Sequence, residues 1–214
     1  REWGLSWSLL KKEKVMRLYL WFRFALMMTG LLAAVPLQAA TERYQVDPDH
    51  TIVGFKVAHM VVSKTTGRFM DYTGFIEMDP EVKTVKALEA DIKTASIATN
   101  HDKRDAHLRS ADFFNVEKYP TLSYRMTSFA KEGDQYVAKG NLTLLGVTKE
   151  IALTGTFNGI LPKDPRGLTR AGFSAQGKIN RKDFGMVWNK VLDTGGVAVG
   201  DEVEITLEVE CIKQ

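Results

Sequence analysis

Cysteine is nearly absent from this chain, because Cys211 is the single thiol among 214 residues. One cysteine cannot form an intrachain disulfide, so the chain is not a scaffold held together by disulfide bonds. Cys211 falls in phase with the apolar residues of segment 203–209, which alternate with charged or polar ones. This spacing predicts a strand residue buried on the dry face rather than a reactive thiol.

The chain also lacks the local motifs of common enzymes. It has no G-x-S-x-G elbow and no glycine-rich phosphate loop. Asp102 and Asp105 are surrounded by arginine and lysine, which favours ion pairs over the raised pKa of a catalytic acid. His101 and His107 point to different sides of a helix, whereas zinc ligands on a helix usually stand at i and i+4. We therefore predict no catalytic residue, no metal site and no cofactor.

A strong net charge is missing as well, since the formal charge is +3. Residues 16–40 have the charged, apolar and small-residue order of a secretory signal peptide. A membrane anchor is the alternative, but a bilayer span needs about 20 apolar residues and this run is shorter. We expect residues 1–15 to be upstream sequence. Residues 41–214 are then one nearly neutral exported domain, with no stable membrane insertion after signal cleavage and no nucleic-acid partner.

What the chain does contain is repeated alternation of apolar and polar residues, which is typical of strands with one dry face. Short polar links join these segments, so sequential strands are expected to pair antiparallel. The predicted fold class is all-β, an eight-stranded antiparallel β-barrel, with a sandwich as the alternative; closure alone removes the sheet edges. The eight strand candidates are segments 53–57, 68–78, 88–92, 122–126, 136–144, 151–157, 171–179 and 202–211.

Segment 97–119 clearly breaks this alternation. Thr99 or Asn100 can cap a short helix there, and Asp105 reaches Arg109 at the i, i+4 spacing. We expect a helical connection near residues 100–114, lying across or beside one end of the barrel. Its expected apolar contacts are Leu108, Phe113 and Phe114.

Several longer motifs occur in a fixed order. They include DPDHTIVGFKVAHM (47–60), TGRFMDYTGFIEMDP (66–80), TNHDKRDAHLRSADFF (99–114), GNLTLLGVTKEI (140–151) and AGFSAQGKINRKDFGM (171–186). In these motifs the chain resembles the YceI family, from about residue 44 to residue 212. The resemblance implies an exported bacterial protein with a lipocalin-like antiparallel barrel. It further implies that the interior binds a long isoprenoid lipid, of polyprenyl or quinone type, in the periplasm, for carriage or sequestration without a catalytic step.

Inward-facing strand positions and the helical connection supply the candidate ligand-binding residues of such a barrel. A second group, His59, Arg104 and Asp105, is expected to form a polar rim at the mouth. Bracing of the helix is the main expectation for Arg104 and Asp105, with head-group binding as the alternative. The candidate ligand-binding residues are Phe55, Val57, Phe69, Phe75, Leu88, Ile92, His107, Phe113, Phe114, Leu142, Leu144, Phe157 and Phe173.

Other functions stay open from the sequence. The interior mixes large and small apolar residues, which is compatible with a ligand cavity and with a filled core. A filled core would suit a stress-related barrel with a protein partner. An enzyme acting on an isoprenoid lipid is a further alternative, with His107 and Asp105 as acid and base. Both a monomer and a homodimer fit the sequence.

Overall fold

The computed structural model describes residues 40–60, 62–193 and 195–214. The upstream segment 1–15 and, apart from its last residue, the signal peptide 16–40 lie outside the described residues and stay predictions. Within the part of the chain that the structure describes, every helix is too short or too polar to cross a bilayer.

The alternating segments form a sheet that contains eleven strands within the described residues. The strands are β1 (Glu42–Val46), β2 (Ile52–His59), β3 (Ser63–Phe69), β4 (Tyr72–Asp79), β5 (Thr84–Lys93), β6 (Ile97–Ala98), β7 (Thr121–Glu132), β8 (Gln135–Leu144), β9 (Val147–Leu161), β10 (Arg170–Asn180) and β11 (Val199–Lys213). Short 3-10 turns lie at Pro48–His50, Thr94–Ser96 and Arg181–Phe184.

Eight of these strands close into an antiparallel barrel. Neighbours in the order β1–β4–β5–β7–β8–β9–β10–β11 are hydrogen-bonded, and β1 pairs with β11 to complete the ring. Strands β2, β3 and β6 extend the sheet from β11. The predicted all-β fold class, an eight-stranded antiparallel barrel with one short helical connection, is confirmed.

The partner of β11 on one side is interrupted. β2 pairs with β11 from Val199 to Glu208, and β1 pairs with its end, where Val46 lies opposite Cys211. The 3-10 turn Pro48–His50 separates β1 from β2, and the carboxylate of Asp47 caps this turn. The chain therefore kinks between β1 and β2, a feature that alternation of apolar residues does not reveal.

Segment 68–78, interpreted from the sequence as one strand, belongs to two. β3 ends at Phe69 and β4 begins at Tyr72, so the chain turns at Met70 and Asp71. The aromatic and β-branched composition is correct for both strands. The turn contains neither glycine nor proline, and the sequence therefore carries no strong turn signal at this point.

One α-helix, α1 (Asp102–Arg109), connects β6 to β7 within the described residues. Its N-cap is His101, whose ring nitrogen Nδ1 accepts from the backbone N–H of Arg104 at 3.3 Å. The expected caps, Thr99 and Asn100, are therefore wrong. Asn100 has a φ of 59°, outside the extended conformation that an N-cap adopts.

The expected ion pair between Asp105 and Arg109 does not form. Asp105 accepts from the backbone N–H of Thr99 at 2.9 Å. Arg109 donates to the carbonyls of Ala95 and Ile97, both at 2.7 Å. Both side chains therefore tie α1 to the chain that precedes it rather than to each other.

The barrel has two different ends. At the helix end, where β4, β7, β9 and β11 begin, α1 and the 3-10 turn Arg181–Phe184 lie next to the strands. At the turn end, where β5, β8 and β10 begin, the strands are joined by the β4–β5 turn (80–83), the β7–β8 turn (133–134) and the β9–β10 loop (162–169).

The predicted burial of Cys211 is confirmed. Its side chain has no exposed surface and lies with Tyr44 and Met78 in an apolar cluster. Burial raises the pKa of the thiol to about 12. Cys211 is therefore a small apolar residue of the core at neutral pH.

Candidate ligand-binding cavity

The inward faces of the strands enclose a cavity of about 300 Å³. Its wall is almost wholly apolar. Leu108 and Phe114 contribute to the wall from the helix end, while Lys83 and Tyr136 contribute from the turn end. Cavities of this size and polarity are typical of sites for small apolar ligands.

The candidate ligand-binding residues line this cavity, with the exception of His107. Aromatic side chains pack against one another along the wall. Phe69 meets Phe55 at 6.0 Å between ring centroids and meets Phe114 edge-on at 5.6 Å. The role of these residues in ligand contact stays a prediction. Those in the wall are Phe55, Val57, Phe69, Phe75, Leu88, Ile92, Phe113, Phe114, Leu142, Leu144, Phe157 and Phe173.

Phe75 differs from the other wall residues. It alternates along β4 with Gly74 and Ile76, which are buried. The guanidinium carbon of Arg43 lies 3.5 Å from the centroid of the Phe75 ring, and the Arg43 side chain is 47% exposed. The ring of Phe75 therefore packs on the outer face of the barrel, although the residue itself belongs to the cavity wall.

The hydroxyl groups of two wall tyrosines donate to backbone carbonyls. Tyr124 donates to the carbonyl of Ala138 at 2.9 Å, and burial raises its pKa to about 12. Tyr72 donates to the carbonyl of Thr51 at 2.5 Å. These residues therefore present aromatic rings rather than hydroxyl groups to the cavity.

Arg181 is a buried cation in the wall at the helix end, with 2% of its surface exposed. Its Nε donates to the carbonyl of Gly200 at 2.8 Å, and its Nη1 donates to those of Met186 and Trp188 at 2.6 and 2.9 Å. Burial lowers the pKa of the guanidinium, against the opposing charge of Asp201. Arg181 thereby ties segment 186–200 to the barrel.

An aromatic cluster covers the helix end. Phe113 is 6% exposed, and its ring centroid lies 5.1 Å from that of Trp188. His107 packs edge-on against both rings, and its Nε2 lies 2.8 Å from a carboxylate oxygen of Asp112. His107 is thus held by the cluster and by Asp112, outside the cavity wall.

Arg104 and Asp105 converge on Thr99. Arg104 donates to the Thr99 hydroxyl at 2.7 Å and to its carbonyl at 2.8 Å, while Asp105 accepts from the Thr99 backbone and hydroxyl. Burial opposes ionisation of Asp105. The hydrogen bonds from Thr99 and the charges of Arg109 and Arg104 outweigh it and lower the pKa of the carboxyl. This geometry is that of a brace between α1 and the end of β6.

Aromatic rings and lysines mark the turn end. Phe129 stacks on Tyr136, with 5.3 Å between centroids and 15° between ring planes. Lys131 lies opposite Tyr136 in the β7–β8 pair, with its ammonium nitrogen 6.0 Å from the centre of that ring. Lys83 is exposed, belongs to the wall, and places its ammonium nitrogen 5.9 Å from the ring centre of Phe157.

Outside the cavity wall, carboxylates gather around Arg170. It donates to Asp164 at 2.6 Å, to Asp47 at 2.7 Å and to Glu210. Asp47, His50 and Glu210 have potential ligand atoms within 4.8 Å of one another, close enough for a metal ion. Because the guanidinium of Arg170 already donates to Asp47 and to Glu210, the arrangement is an ion-pair cluster.

The family model of the YceI-like domain matches residues 44–211. The chain belongs to the YceI family. Protein YceI of Salmonella newport is 40% identical over 178 residues, which cover 82% of this chain and 90% of that protein. The YCEI protein of Campylobacter jejuni is 36% identical with a TM-score of 0.63, over 78% of this chain and 96% of that one. A polyisoprenoid binding domain from Saccharophagus degradans, 15% identical, shares the fold with a TM-score of 0.58 over 80% of this chain and 98% of that one.

Sequence reasoning missed two cations of this YceI barrel, Lys83 and Arg181, both of which belong to the wall. Lys83 lies in a turn, where alternation assigns no inward face. Arg181 lies inside the motif AGFSAQGKINRKDFGM, so the motif held a signal that alternation did not. His59, a predicted rim residue, lies opposite Val199 at the end of β2 and outside the cavity wall.

Proposed function

We propose that this protein binds a long-chain isoprenoid lipid inside its barrel and carries or sequesters it in the periplasm. The apolar cavity is the observation that carries the proposal. Membership of the YceI family supports an isoprenoid as the ligand class. The polyisoprenoid binding domain of S. degradans supplies a barrel of the same fold. The periplasmic location rests on the predicted signal peptide at residues 16–40.

An apolar chain gains free energy in this cavity without polar contacts. Each CH₂ group removed from water contributes about 0.8 kcal/mol, so several isoprene units outweigh the entropic cost of association. The hydroxyl groups of Tyr72 and Tyr124 and the Nε and Nη1 donors of Arg181 are engaged by backbone carbonyls. The wall therefore selects a ligand by chain shape and length.

The geometry favours binding over the alternative functions. A barrel with a filled core would not contain a continuous apolar cavity between its ends. An enzyme would need its acid and base near the ligand. His107 and Asp105 lie outside the cavity wall and are engaged by Asp112 and Thr99.

The first test is to export the protein in a bacterial host, purify it without detergent and extract it with organic solvent. Mass spectrometry of the extract is expected to show an isoprenoid at close to one molecule per barrel. An extract without isoprenoid, together with no binding of added polyprenol, would contradict the proposal.

A variant that fills the cavity makes the test specific. Ala175 lies on β10 in the wall, and Ala175→Phe places a ring in the space that the lipid would take. Isoprenoid occupancy is expected to fall about tenfold or more, because the ring excludes several CH₂ groups. Ala152→Phe is the matched control, since Ala152 is exposed on β9 and absent from the wall. Equal occupancy in the two variants would count against a lipid inside the barrel.

A further inference from the structure

We propose that the β9–β10 loop (162–169), together with Leu161 at the end of β9, docks the protein on the surface of an anionic phospholipid bilayer. Docking needs no lipid inside the barrel, so it goes beyond the proposed function. It gives the outside of the turn end an interaction surface of its own and makes a membrane, rather than a protein, the partner.

The stems of the β9–β10 loop carry two exposed leucines. Leu161 is 50% exposed and lies opposite Arg170 where β9 and β10 separate. Leu168 is 37% exposed and lies near the other end of the loop. Contact of both side chains with an apolar layer would remove their exposed surface from water, which favours docking.

Between the leucines the loop exposes two cations. The side chains of Lys163 and Arg166 are both exposed. Within the residues that the structure describes, neither of them forms an ion pair. Both charges are therefore available to an anionic surface.

The acidic residue of the loop faces the protein instead of the solvent. Asp164 is buried and accepts from the backbone N–H groups of Arg166 and Leu168, both at 2.8 Å. Its other oxygen accepts from Nε of Arg170 at 2.6 Å. Arg170 thus balances this charge inside the loop, and the outer face of the loop stays positive.

A surface that is apolar and positive at the same time is complementary to an anionic bilayer. Apolar side chains enter the boundary of the acyl chains, while lysine and arginine are attracted by the anionic lipids. The long side chains of Lys163 and Arg166 can keep their charged ends at the level of the phosphates while Leu161 and Leu168 reach deeper.

The loop is already ordered for such a contact. The N–H of Asp164 donates to the carbonyl of Leu168 at 2.9 Å, and the hydroxyl of Thr169 donates to the carbonyl of Pro162 at 2.8 Å. These bonds add to those of the Asp164 carboxylate. An ordered loop loses little conformational entropy when it docks.

The neighbouring turns indicate how the turn end would meet the bilayer. Val82 in the β4–β5 turn is 64% exposed, and Lys83 of the same turn lies 5.9 Å from the ring centre of Phe157 on β9. At the β7–β8 turn, in contrast, Glu132 and Asp134 are exposed. We therefore expect the β9–β10 loop and Val82 to face the membrane, and the β7–β8 turn to stay in water.

The helix end has exposed apolar side chains too, but without the positive charge. Val187 and Val191 are 65% and 75% exposed. The exposed charges beside them, Lys190 and Asp193, are opposite in sign and cancel. These valines therefore give no preference for an anionic bilayer and serve as a comparison.

The test is sedimentation with vesicles of equal parts phosphatidylglycerol and phosphatidylcholine, compared with vesicles of phosphatidylcholine alone. The protein is exported and purified without detergent, as for the lipid extraction. We expect wild type to bind the anionic vesicles about tenfold more tightly, because each cation at such a surface adds to the attraction. High salt should remove this preference, since it screens exposed charges.

Two double variants separate the charges from the apolar contact. Lys163→Gln with Arg166→Gln should lose the preference for anionic vesicles. Leu161→Ser with Leu168→Ser should weaken binding to both kinds of vesicle about tenfold. All four side chains are exposed, so the melting temperatures should stay close to that of wild type.

The matched controls make the same changes at the helix end. Lys103→Gln with Lys149→Gln removes two exposed lysines, and Val187→Ser with Val191→Ser removes two exposed apolar side chains. Both controls should bind both kinds of vesicle like wild type. Loss of binding in the valine control, together with full binding in the leucine variant, would overturn the assignment to the β9–β10 loop.

The outcomes also separate docking from the carrier proposal. Ala175→Phe fills the cavity and should bind vesicles like wild type, because Ala175 lies inside the barrel. Equal binding of the two kinds of vesicle by wild type would overturn the anionic surface. Failure of wild type to bind either kind would overturn docking, leave the carrier standing and favour a protein as the partner of this loop.

Discussion

The two ends of the barrel differ in how their polar groups are used. At the helix end, Arg104, Asp105 and Arg181 are engaged by Thr99 and by backbone carbonyls. At the turn end, Lys83 and Lys131 have no ion-pair partner in the described part of the chain. The cluster of charged residues that attracts notice in the sequence is therefore structural. Lys83 and Lys131 lie in the β4–β5 turn and at the end of β7.

This difference assigns separate tasks to the two ends. The helix end has its aromatic cluster, with Phe113 almost fully buried, and so closes the cavity. The turn end has half-buried rings at Phe129 and Tyr136, so we expect a ligand to enter there with smaller rearrangements. If the protein binds a lipid as proposed, we expect the chain to enter at the turn end and to extend toward α1.

The largest expected effect comes from removal of an aromatic ring at each end. Phe113→Ala should lower the free energy of unfolding by about 3 kcal/mol, because a ring with 6% exposure leaves a cavity behind. Tyr136→Ala should cost about 1 kcal/mol, since its half-buried ring chiefly loses its stacking on Phe129. Urea denaturation of the lipid-free proteins measures both values. Equal losses would show that the ends are equally closed.

The barrel could be predicted from the sequence because each of its long strands shows period-two alternation over a wet and a dry face. Segment 202–211 is the clearest case, and β11 spans it. β1 and β3 were missed because β1 is short and β3, with the sequence SKTTGRF, is mostly polar. The kink at Pro48–His50 has a local signal, since Asp47 caps the turn and Pro48 follows it, but a search for alternation alone does not detect this signal.

The candidate site was predictable only in its apolar part. Inward residues such as Phe157 and Phe173 follow from strand phase and lie in the wall. Polar residues do not, because their role depends on which partner is nearest in the fold. His107 was expected near the ligand and contacts Asp112 instead, while Lys83 belongs to the wall from a turn, where strand phase assigns no inward face.

A smaller effect tests whether the helix end is a brace or a head-group site. Arg104→Ala removes two hydrogen bonds to Thr99, at 2.7 and 2.8 Å, and should lower the free energy of unfolding by about 1 kcal/mol with or without lipid. The affinity for added polyprenol should stay unchanged. Lys103→Gln, on the same helix and exposed, is the control that should change neither quantity. Weaker lipid binding with unchanged stability would favour head-group binding by Arg104 over bracing of the helix.

The smallest effect is a pH dependence that belongs to the helix end. The pKa of Asp105 is lowered in the folded protein, so its carboxylate stabilises the fold above its ordinary pKa of roughly 4, and this contribution is lost as pH falls through the folded value. Asp105→Asn keeps an acceptor for Thr99 but cannot titrate. The gap in unfolding free energy between wild type and this variant should be constant from about pH 6 to 8 and narrow below about pH 4. Urea denaturation at each pH measures the gap. A gap that widens on acidification would mean that burial, which raises the pKa, prevails over the hydrogen bonds from Thr99.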